Sequence, residues 1–227
     1  MSLDRTCSDI RKPDKLKKTE LPRAPDPQLL LARLDELRAA LRAREPFELA
    51  ERTGAVFHPN SQGGGEFALP MWEQPMYITF PQFEVRDAAG REAGIASQAL
   101  TLYHFHTSDG AAPGEGFIAF SDLPDGRFYA QAFQGYTGYE LARRFPQRRD
   151  FEQAALRLGG ALYPHGESAF LFNLFPRVKL LVVYWQGDED LPSSCQVLFN
   201  SAIAHHLPTD ACAIAGSILT RRLLAAR

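Results

Sequence analysis

The chain has 227 residues, of which 45% are hydrophobic and 23% are charged, and its formal net charge is −2. Such a composition is ordinary for a globular protein and excludes a chain that is disordered throughout. The near-balance of charges provides no global basic field, so no nucleic-acid partner is expected. The longest apolar run, 179–185, is too short to cross a bilayer, and the polar first residues do not resemble a signal peptide. We therefore expect a cytoplasmic protein without a membrane partner.

Residues 1–26 interleave basic and acidic side chains and are punctuated by prolines, so we expect a flexible charged tail. Residues 27–44 are predicted to form an N-terminal helix, with Asp26 as its cap. Its apolar stripe recurs at three- and four-residue steps and consists of Leu30, Leu31, Leu34, Leu37 and Leu41. Residues 45–227 are predicted to form a single α+β domain.

Within 45–227, hairpin-like strands lie between helices, which favours an α+β fold with a largely antiparallel sheet flanked by helices over a doubly wound parallel sheet. Pro81 is expected to interrupt a strand, and Gly135 and Gly138 to break a helical region. The predicted elements are a helix from Pro46 to a C-cap at Gly54, strands at 55–58, 66–72 and 76–85, a helix at 95–106, a strand at 117–120, a helical region at 128–145, a helix capped by Asp150, strands at 169–174, 178–185 and 196–199, and a helix from an N-cap at Thr209 to Leu224.

The three cysteines, Cys7, Cys195 and Cys212, are widely spaced and form no CxxC pair. This spacing argues against a metal or iron–sulfur site built from these cysteines alone and against a disulfide framework. Such usage fits a reducing compartment. Cys212 falls in the first turns of the last predicted helix, where the helix dipole lowers a thiol pKa. Its apolar neighbours favour a buried structural cysteine over a nucleophile.

Two pairs of histidines are candidate ligands. His205 and His206 precede a predicted helix N-terminus, where imidazoles could bind an anion or a metal ion. Adjacent side chains point in different directions, so the favoured interpretation is that one packs and the other is solvated. His104 and His106 lie near the end of a predicted helix, and a spacing of two places them on different faces.

An aromatic segment is followed by arginines, and together they could line a pocket for a flat anionic ligand. The residues are Tyr129, Phe133, Tyr136, Arg143 and Arg144. The alternative is a core face with solvated arginines beside it. The glycines at 63–65 fit neither phosphate-binding fingerprint, and neither GxSxG nor HExxH is present.

Several segments together resemble the uncharacterised bacterial and archaeal family called domain of unknown function 3786. The segments are ELAERTGA at 48–55, FEV at 83–85, FIAF at 117–120 with LP at 123–124, AF at 169–170, PR at 176–177, WQGDEDLP at 185–192, LFN at 198–200 and HHLPTD at 205–210. The resemblance covers roughly residues 45–225. It implies an anaerobic setting, since members occur largely in anaerobes and some carry an attached cysteine-rich iron–sulfur or corrinoid-protein segment. This chain lacks those cysteines, so an iron–sulfur role would need a partner, and no site residue is carried over.

Three functional hypotheses follow. The first is an accessory or binding module for an anionic ligand, a cofactor such as a tetrapyrrole, or a metalloprotein partner in anaerobic metabolism. The second is a metal-assisted enzyme in which His104, His106, His205 and His206 supply ligands and Glu84 acts as base. The third is a structural or assembly subunit that uses the leucine stripe of the N-terminal helix, although that stripe could equally pack on its own domain.

Overall fold

A computed structural model describes residues 27–227 of the chain. The tail predicted for 1–26, the Asp26 cap and Cys7 lie outside the described residues. Within the described part, the chain forms seven α-helices and nine β-strands. Every strand pair is antiparallel, which confirms the α+β class with antiparallel pairing. The strands form two sheets where the sequence suggests one.

The first sheet is a four-stranded meander with the order β1-β2-β3-β4. Two helices precede it and one follows it. In chain order these elements are α1 (Pro27–Leu41), α2 (Pro46–Thr53), β1 (Val56–Pro59), β2 (Gly65–Met71), β3 (Gln74–Phe80), β4 (Val85–Asp87) and α3 (Ile95–Thr107).

The second sheet has the order β5-β9-β8-β7-β6, so its first and last strands in sequence are neighbours. Three helices lie between its first two strands in the chain, and one helix follows the last strand. The two-residue strand β6 is not predicted from the sequence pattern. These elements are β5 (Phe117–Ala119), α4 (Gly126–Tyr136), α5 (Gly138–Arg144), α6 (Arg148–Arg157), β6 (Ala161–Leu162), β7 (Ser168–Phe175), β8 (Val178–Trp185), β9 (Ser194–Asn200) and α7 (Thr209–Ala225).

The central strand β8 is buried on both faces, as its continuous apolar run predicts. Leu180 and Val182 belong to the large hydrophobic core, whereas Leu181 and Val183 belong to a second, smaller cluster on the other face. Successive side chains of a strand point to opposite faces, so each face of β8 supplies a different cluster.

Three of the five leucines in the α1 stripe are buried within the chain's own core, whereas Leu31 is 51% exposed. Leu34, Leu37 and Leu41 are each at most 1% exposed and share one hydrophobic cluster with Phe67 and Phe105. The interpretation that the stripe packs on its own chain is therefore confirmed for Leu34, Leu37 and Leu41. A contact surface built from these three side chains is not available to another subunit.

The strand predicted at 76–85 ends at Phe80, so the interruption expected at Pro81 is confirmed. Pro81 has no N–H to donate to the sheet, so the ladder does not continue through it. The chain turns at Phe83, which has a φ of 58°, and re-enters the sheet as β4. The Phe83 ring is fully buried, so this turn places an aromatic side chain in the core.

The break predicted in the helical region 128–145 is confirmed, and it falls at Thr137, between Gly135 and Gly138. Thr137 is buried, and its hydroxyl donates to the carbonyl oxygen of Phe133 at 2.5 Å, a bond that competes with helix continuation. Gly138 has a packing role instead. A Cβ at this position would lie 2.2 Å from the carbonyl oxygen of Cys195.

Two predicted N-caps are also wrong. α6 begins two residues before Asp150, at Arg148, so Asp150 lies in the first turn, where its charge suits the helix dipole. Pro208 occupies the N-cap position of α7. The hydroxyl of Thr209 donates instead to the carbonyl oxygen of Pro124 at 2.7 Å. The Thr209 side chain thus forms a tertiary contact instead of the helix cap that the local sequence predicts.

Gly54 forms the predicted C-cap of α2, with a φ of 76° in the left-handed region. A Cβ at Gly54 would lie 3.1 Å from the Cβ of Pro176, whereas a Cβ at Gly63, whose φ is 81°, would meet nothing within 4 Å. Gly63→Ala should therefore lower the free energy of unfolding by about 1–2 kcal/mol from backbone strain alone. Gly54→Ala should lower it further. Urea denaturation of both variants measures the difference, and equal losses would contradict the close packing at Gly54.

Candidate functional site

The C-terminal turn of α2 lies in a buried polar cluster. The last carbonyls of a helix have no partner within the helix, and here side chains from distant segments donate to them. The acceptor–donor pairs are Glu51 O with Arg177 Nη2 (3.0 Å), Arg52 O with Ser108 Oγ (2.7 Å) and Thr53 O with His104 Nε2 (3.1 Å).

A second histidine joins these side chains. Nδ1 of His206 lies 2.9 Å from Oγ of Ser108. The imidazole rings of His104 and His206 have centroids 5.8 Å apart and planes inclined at 55°. His104 also stacks on Phe175 at 4.4 Å. We call the side chains of His104, Ser108, Arg177 and His206 the α2 cap cluster.

The hydrogen bonds fix the tautomers of both imidazoles. A carbonyl oxygen only accepts, so Nε2 of His104 carries a proton and its Nδ1 holds a lone pair. Oγ of Ser108 donates its proton to the Arg52 carbonyl, so it accepts from Nδ1 of His206. The neutral His206 therefore has its lone pair on Nε2.

Three buried polar atoms of the α2 cap cluster have no hydrogen-bond partner. They are Nδ1 of His104, Nε2 of His206 and Nε of Arg177. Both histidines are fully buried, and Arg177 is half-buried. A buried polar atom without a partner costs about 1–3 kcal/mol, so three of them in one cluster require an explanation.

Both imidazoles are held in the neutral form. Burial is the main cause that lowers the pKa of His104 to about 4, and the nearby charges of His206 and Arg177 contribute. Burial also lowers the pKa of His206 from its ordinary value. Near pH 7 both unpaired nitrogens are lone-pair acceptors, which suit a cation or a hydrogen-bond donor and oppose a bare anion.

The neighbouring pair His205 and Asp109 lies at the surface, and each side chain is 55% exposed. Nδ1 of His205 lies 2.7 Å from a carboxylate oxygen of Asp109, and this bond lowers the pKa of Asp109. Ser108 and Asp109 thus contact different histidines. A catalytic triad needs the carboxylate and the serine on one imidazole, so these residues do not form one.

Of the four histidines that the sequence offers as candidate metal ligands, the structure brings together two, His104 and His206. His106 is half-buried on another face of α3, where burial and the charges of Arg44 and Arg33 lower its pKa. No group of three or more His, Cys, Asp or Glu side chains in residues 27–227 is arranged to hold a metal ion.

The proposed catalytic base, Glu84, is exposed and lies 2.7 Å from Arg86. Its charge is therefore already paired at the surface.

The aromatic residues predicted to line a ligand pocket occupy different environments. Phe133 is buried and stacks on Phe120 at 4.2 Å, and Tyr136 contacts the Phe133 ring edge-on at 5.6 Å. Tyr129 is 63% exposed. Phe133 and Tyr136 thus follow the core interpretation, and Tyr129 faces solvent.

The two arginines of that predicted pocket share one partner. Arg143 and Arg144 both bind the carboxylate of Glu140, at 2.7 Å and 3.1 Å, and these contacts lower its pKa. Part of their charge is thus offset within α5, and both side chains are at least half exposed.

Both cysteines of the described part are free and buried. Burial raises the pKa of Cys195 to about 12 and raises that of Cys212 further. This confirms the interpretation of Cys212 as a buried structural residue, since its thiolate is disfavoured in spite of its place near the start of α7.

Sequence reasoning missed Ser108 and Arg177 as members of the cluster. Each is separated from its α2 carbonyl by more than fifty residues, and no local spacing marks either. The only signal was indirect, because the PR pair at 176–177 is one of the segments that carry the family resemblance.

These features define an α+β protein of two antiparallel sheets with a polar cluster at the end of one helix. The chain belongs to the family Domain of unknown function (DUF3786), whose family model matches residues 45–222. No curated protein and no solved structure matches the chain significantly. No helix in residues 27–227 is both long and apolar enough to span a membrane.

Ser108→Ala should destabilise the protein by about 1–3 kcal/mol, because it leaves the Arg52 carbonyl and Nδ1 of His206 unpaired in a buried place. The matched control is Ser61→Ala at an exposed position, which should change stability by no more than about 0.5 kcal/mol. Urea denaturation compares the two. Equal effects would show that the Ser108 hydroxyl contributes nothing to the cap.

Stability should fall as the pH is lowered from about 6.5 to about 4. The folded-state pKa of His104 lies near 4, below its ordinary value of 6.5, so in this range the unfolded state binds more protons. The loss approaches about 3 kcal/mol for a shift of this size. Urea denaturation at several pH values measures the slope. The slope should be smaller in His104→Gln, and an unchanged slope would assign the pH dependence to other groups.

Proposed function

We propose that the protein is an accessory binding module that holds one transition-metal ion at His104 and His206. The observation that supports this most directly is the pair of unpaired, buried lone-pair nitrogens in the α2 cap cluster. Neutral imidazole nitrogen is the commonest protein ligand for such ions.

The hydrogen bond on the opposite ring nitrogen of His104 matches that of metal-binding histidines. Such histidines usually donate their other N–H to a carbonyl, a carboxylate or water, which fixes the tautomer and the ring orientation. His104 donates to the Thr53 carbonyl, and His206 donates to Oγ of Ser108. Ser108 and the end of α2 therefore act as positioning groups.

The ring separation is compatible with one shared ion. A ring nitrogen lies about 1 Å from the ring centre and about 2 Å from a bound metal ion, so two imidazoles on one ion have centroids within about 6 Å. The observed separation is 5.8 Å.

Two protein ligands leave coordination positions for a small anion. Nε of Arg177 is an unpaired donor in the same cluster and could hold an anionic ligand on the ion. Such an ion, with two protein ligands, suits an accessory role in a reducing, anaerobic cytoplasm, towards a metalloprotein partner. A tetrapyrrole is not favoured, because both imidazoles are fully buried and leave no open face for a macrocycle.

Titration of the metal-free protein with Zn²⁺ in a calorimeter tests this proposal, with Co²⁺ absorbance as a second readout. We expect one ion per chain, with binding at least tenfold weaker in His104→Gln and in His206→Gln. Glutamine keeps an N–H that can replace the hydrogen bonds of the histidine. His165→Gln, at an exposed position, is the matched control and should bind normally. Absence of binding, or equal binding by all variants with unchanged circular dichroism, would overturn the proposal.

A further inference from the structure

The separation of the His104 and His206 rings indicates how a shared ion would be coordinated. A ring nitrogen lies about 1 Å from the ring centre and about 2 Å from a bound ion, so each ring centre lies about 3 Å from the ion. Two imidazoles at a tetrahedral angle would then have centres about 5 Å apart, and two on opposite sides of the ion would have centres about 6 Å apart. The observed 5.8 Å is close to the second value, so the two nitrogens would bind from nearly opposite directions.

Any further ligand of the ion would have to be buried with it. Both imidazoles are fully buried, and Phe175 stacks on the His104 ring at 4.4 Å. The other ring nitrogens are already used, since Nε2 of His104 donates to Thr53 and Nδ1 of His206 contacts Ser108. A four-coordinate ion requires two more ligands beside these rings, whereas a two-coordinate ion requires only the gap between the two nitrogens.

The charges around the two imidazoles favour an ion of low charge. Burial is the main cause that lowers the pKa of both imidazoles, and the charge of Arg177 lowers it further, so a positive charge already lies near both rings. Asp109 is an acid whose charge acts on His206, but its two carboxylate oxygens accept from His205 and from the N–H of Ala111. The cost of burying an ion rises with the square of its charge, so a divalent ion costs about four times as much as a monovalent ion of the same size.

We propose that His104 and His206 bind a monovalent d¹⁰ cation, of which Cu⁺ is the biological example, in two-coordinate geometry through Nδ1 and Nε2. This preference concerns the metal site proposed above and depends on it. Cu⁺ and Ag⁺ form complexes in which two ligands lie opposite each other, and imidazole is among the ligands that suit copper. Zn²⁺ is usually four-coordinate, and it would need the anion that Arg177 could hold to offset its second charge.

A competition between Ag⁺ and Zn²⁺ in chloride-free buffer tests this preference, because Ag⁺ stays monovalent without a reductant. Thiols also bind Ag⁺, so the experiment uses Cys7→Ser, in which the two remaining cysteines, Cys195 and Cys212, are buried. The ¹⁵N resonances of the histidine side chains report which nitrogens bind. We expect one equivalent of silver nitrate to shift Nδ1 of His104 and Nε2 of His206, and Zn²⁺ to bind these nitrogens at least a hundredfold more weakly.

Histidine variants in the same background test the pairing of the two ligands. In His206→Gln the affinity of His104 for Ag⁺ should fall at least tenfold, whereas His165→Gln, at an exposed position, should behave like the parent. The competition itself needs no change in the α2 cap cluster, so it decides the preference even where His206→Gln does not fold.

The possible outcomes separate the two proposals. Binding of Zn²⁺ to both histidines with an affinity equal to or higher than that of Ag⁺ would overturn the monovalent preference and support the metal site. Failure of both ions to shift the two histidines would overturn both proposals. Ag⁺ shifts confined to other histidines, or to only one of this pair, would overturn the two-coordinate geometry.

Discussion

The C-terminal cap of α2 is the interaction on which the arrangement of this protein depends. Three successive carbonyls at the end of this helix accept hydrogen bonds from Arg177, Ser108 and His104. Gly54 then turns the chain in the left-handed conformation and leads it into β1. A positive or donor side chain is favourable at this end of a helix because the free carbonyls carry the negative end of the helix dipole.

The three donors come from separate parts of the fold, so one helix end joins both sheets. His104 and Ser108 lie at the end of α3, which packs against α1 and the first sheet. Arg177 lies in the turn between β7 and β8 of the second sheet and also donates to the Gly110 carbonyl. Pro176 in the same turn packs on Gly54. Any change that moves α2 therefore moves the turn at β7–β8 and the end of α3 together.

The same cap creates the chemical character of the proposed metal site. Because the Thr53 carbonyl accepts a hydrogen bond from Nε2–H of His104, the lone pair of that ring is on Nδ1. Ser108 does the same for His206 by accepting on its hydroxyl oxygen. The same hydrogen bonds thus cap α2 and leave one lone pair on each imidazole for the proposed metal ion. This coupling also means that metal binding and stability should respond together to substitutions of Ser108.

The hairpin tip at Trp72 is a second place where tertiary packing brings distant residues together. Its indole is buried by β7 and α7, and the cation beside it lies in the last turns of the chain. Neither residue stands out in the sequence, because a single tryptophan in a turn and an arginine in a helix are both ordinary. Only the tertiary structure places the Trp72 ring 5.7 Å from the guanidinium carbon of Arg222.

The sequence by itself determined most of the secondary structure. Leucine spacing placed α1, Pro46 and Gly54 bounded α2, and the run at 178–185 identified a strand buried on both faces. These features depend on neighbours within a few residues, so periodicity and cap chemistry reveal them. The resemblance carried by 48–55 and 205–210 likewise needed no coordinates, and the family match confirmed it.

Only the tertiary structure decided which polar groups meet. Ser108 and His206 are 98 residues apart, and Arg177 is 126 residues from the Glu51 carbonyl. Whether a histidine is a surface base or a neutral buried ligand depends on its burial and on the partner of its other nitrogen, and both are set by such distant contacts. For the same reason the sequence did not distinguish His106 and His205 from His104 and His206. The fold brings His104 and His206 together and places His106 and His205 elsewhere.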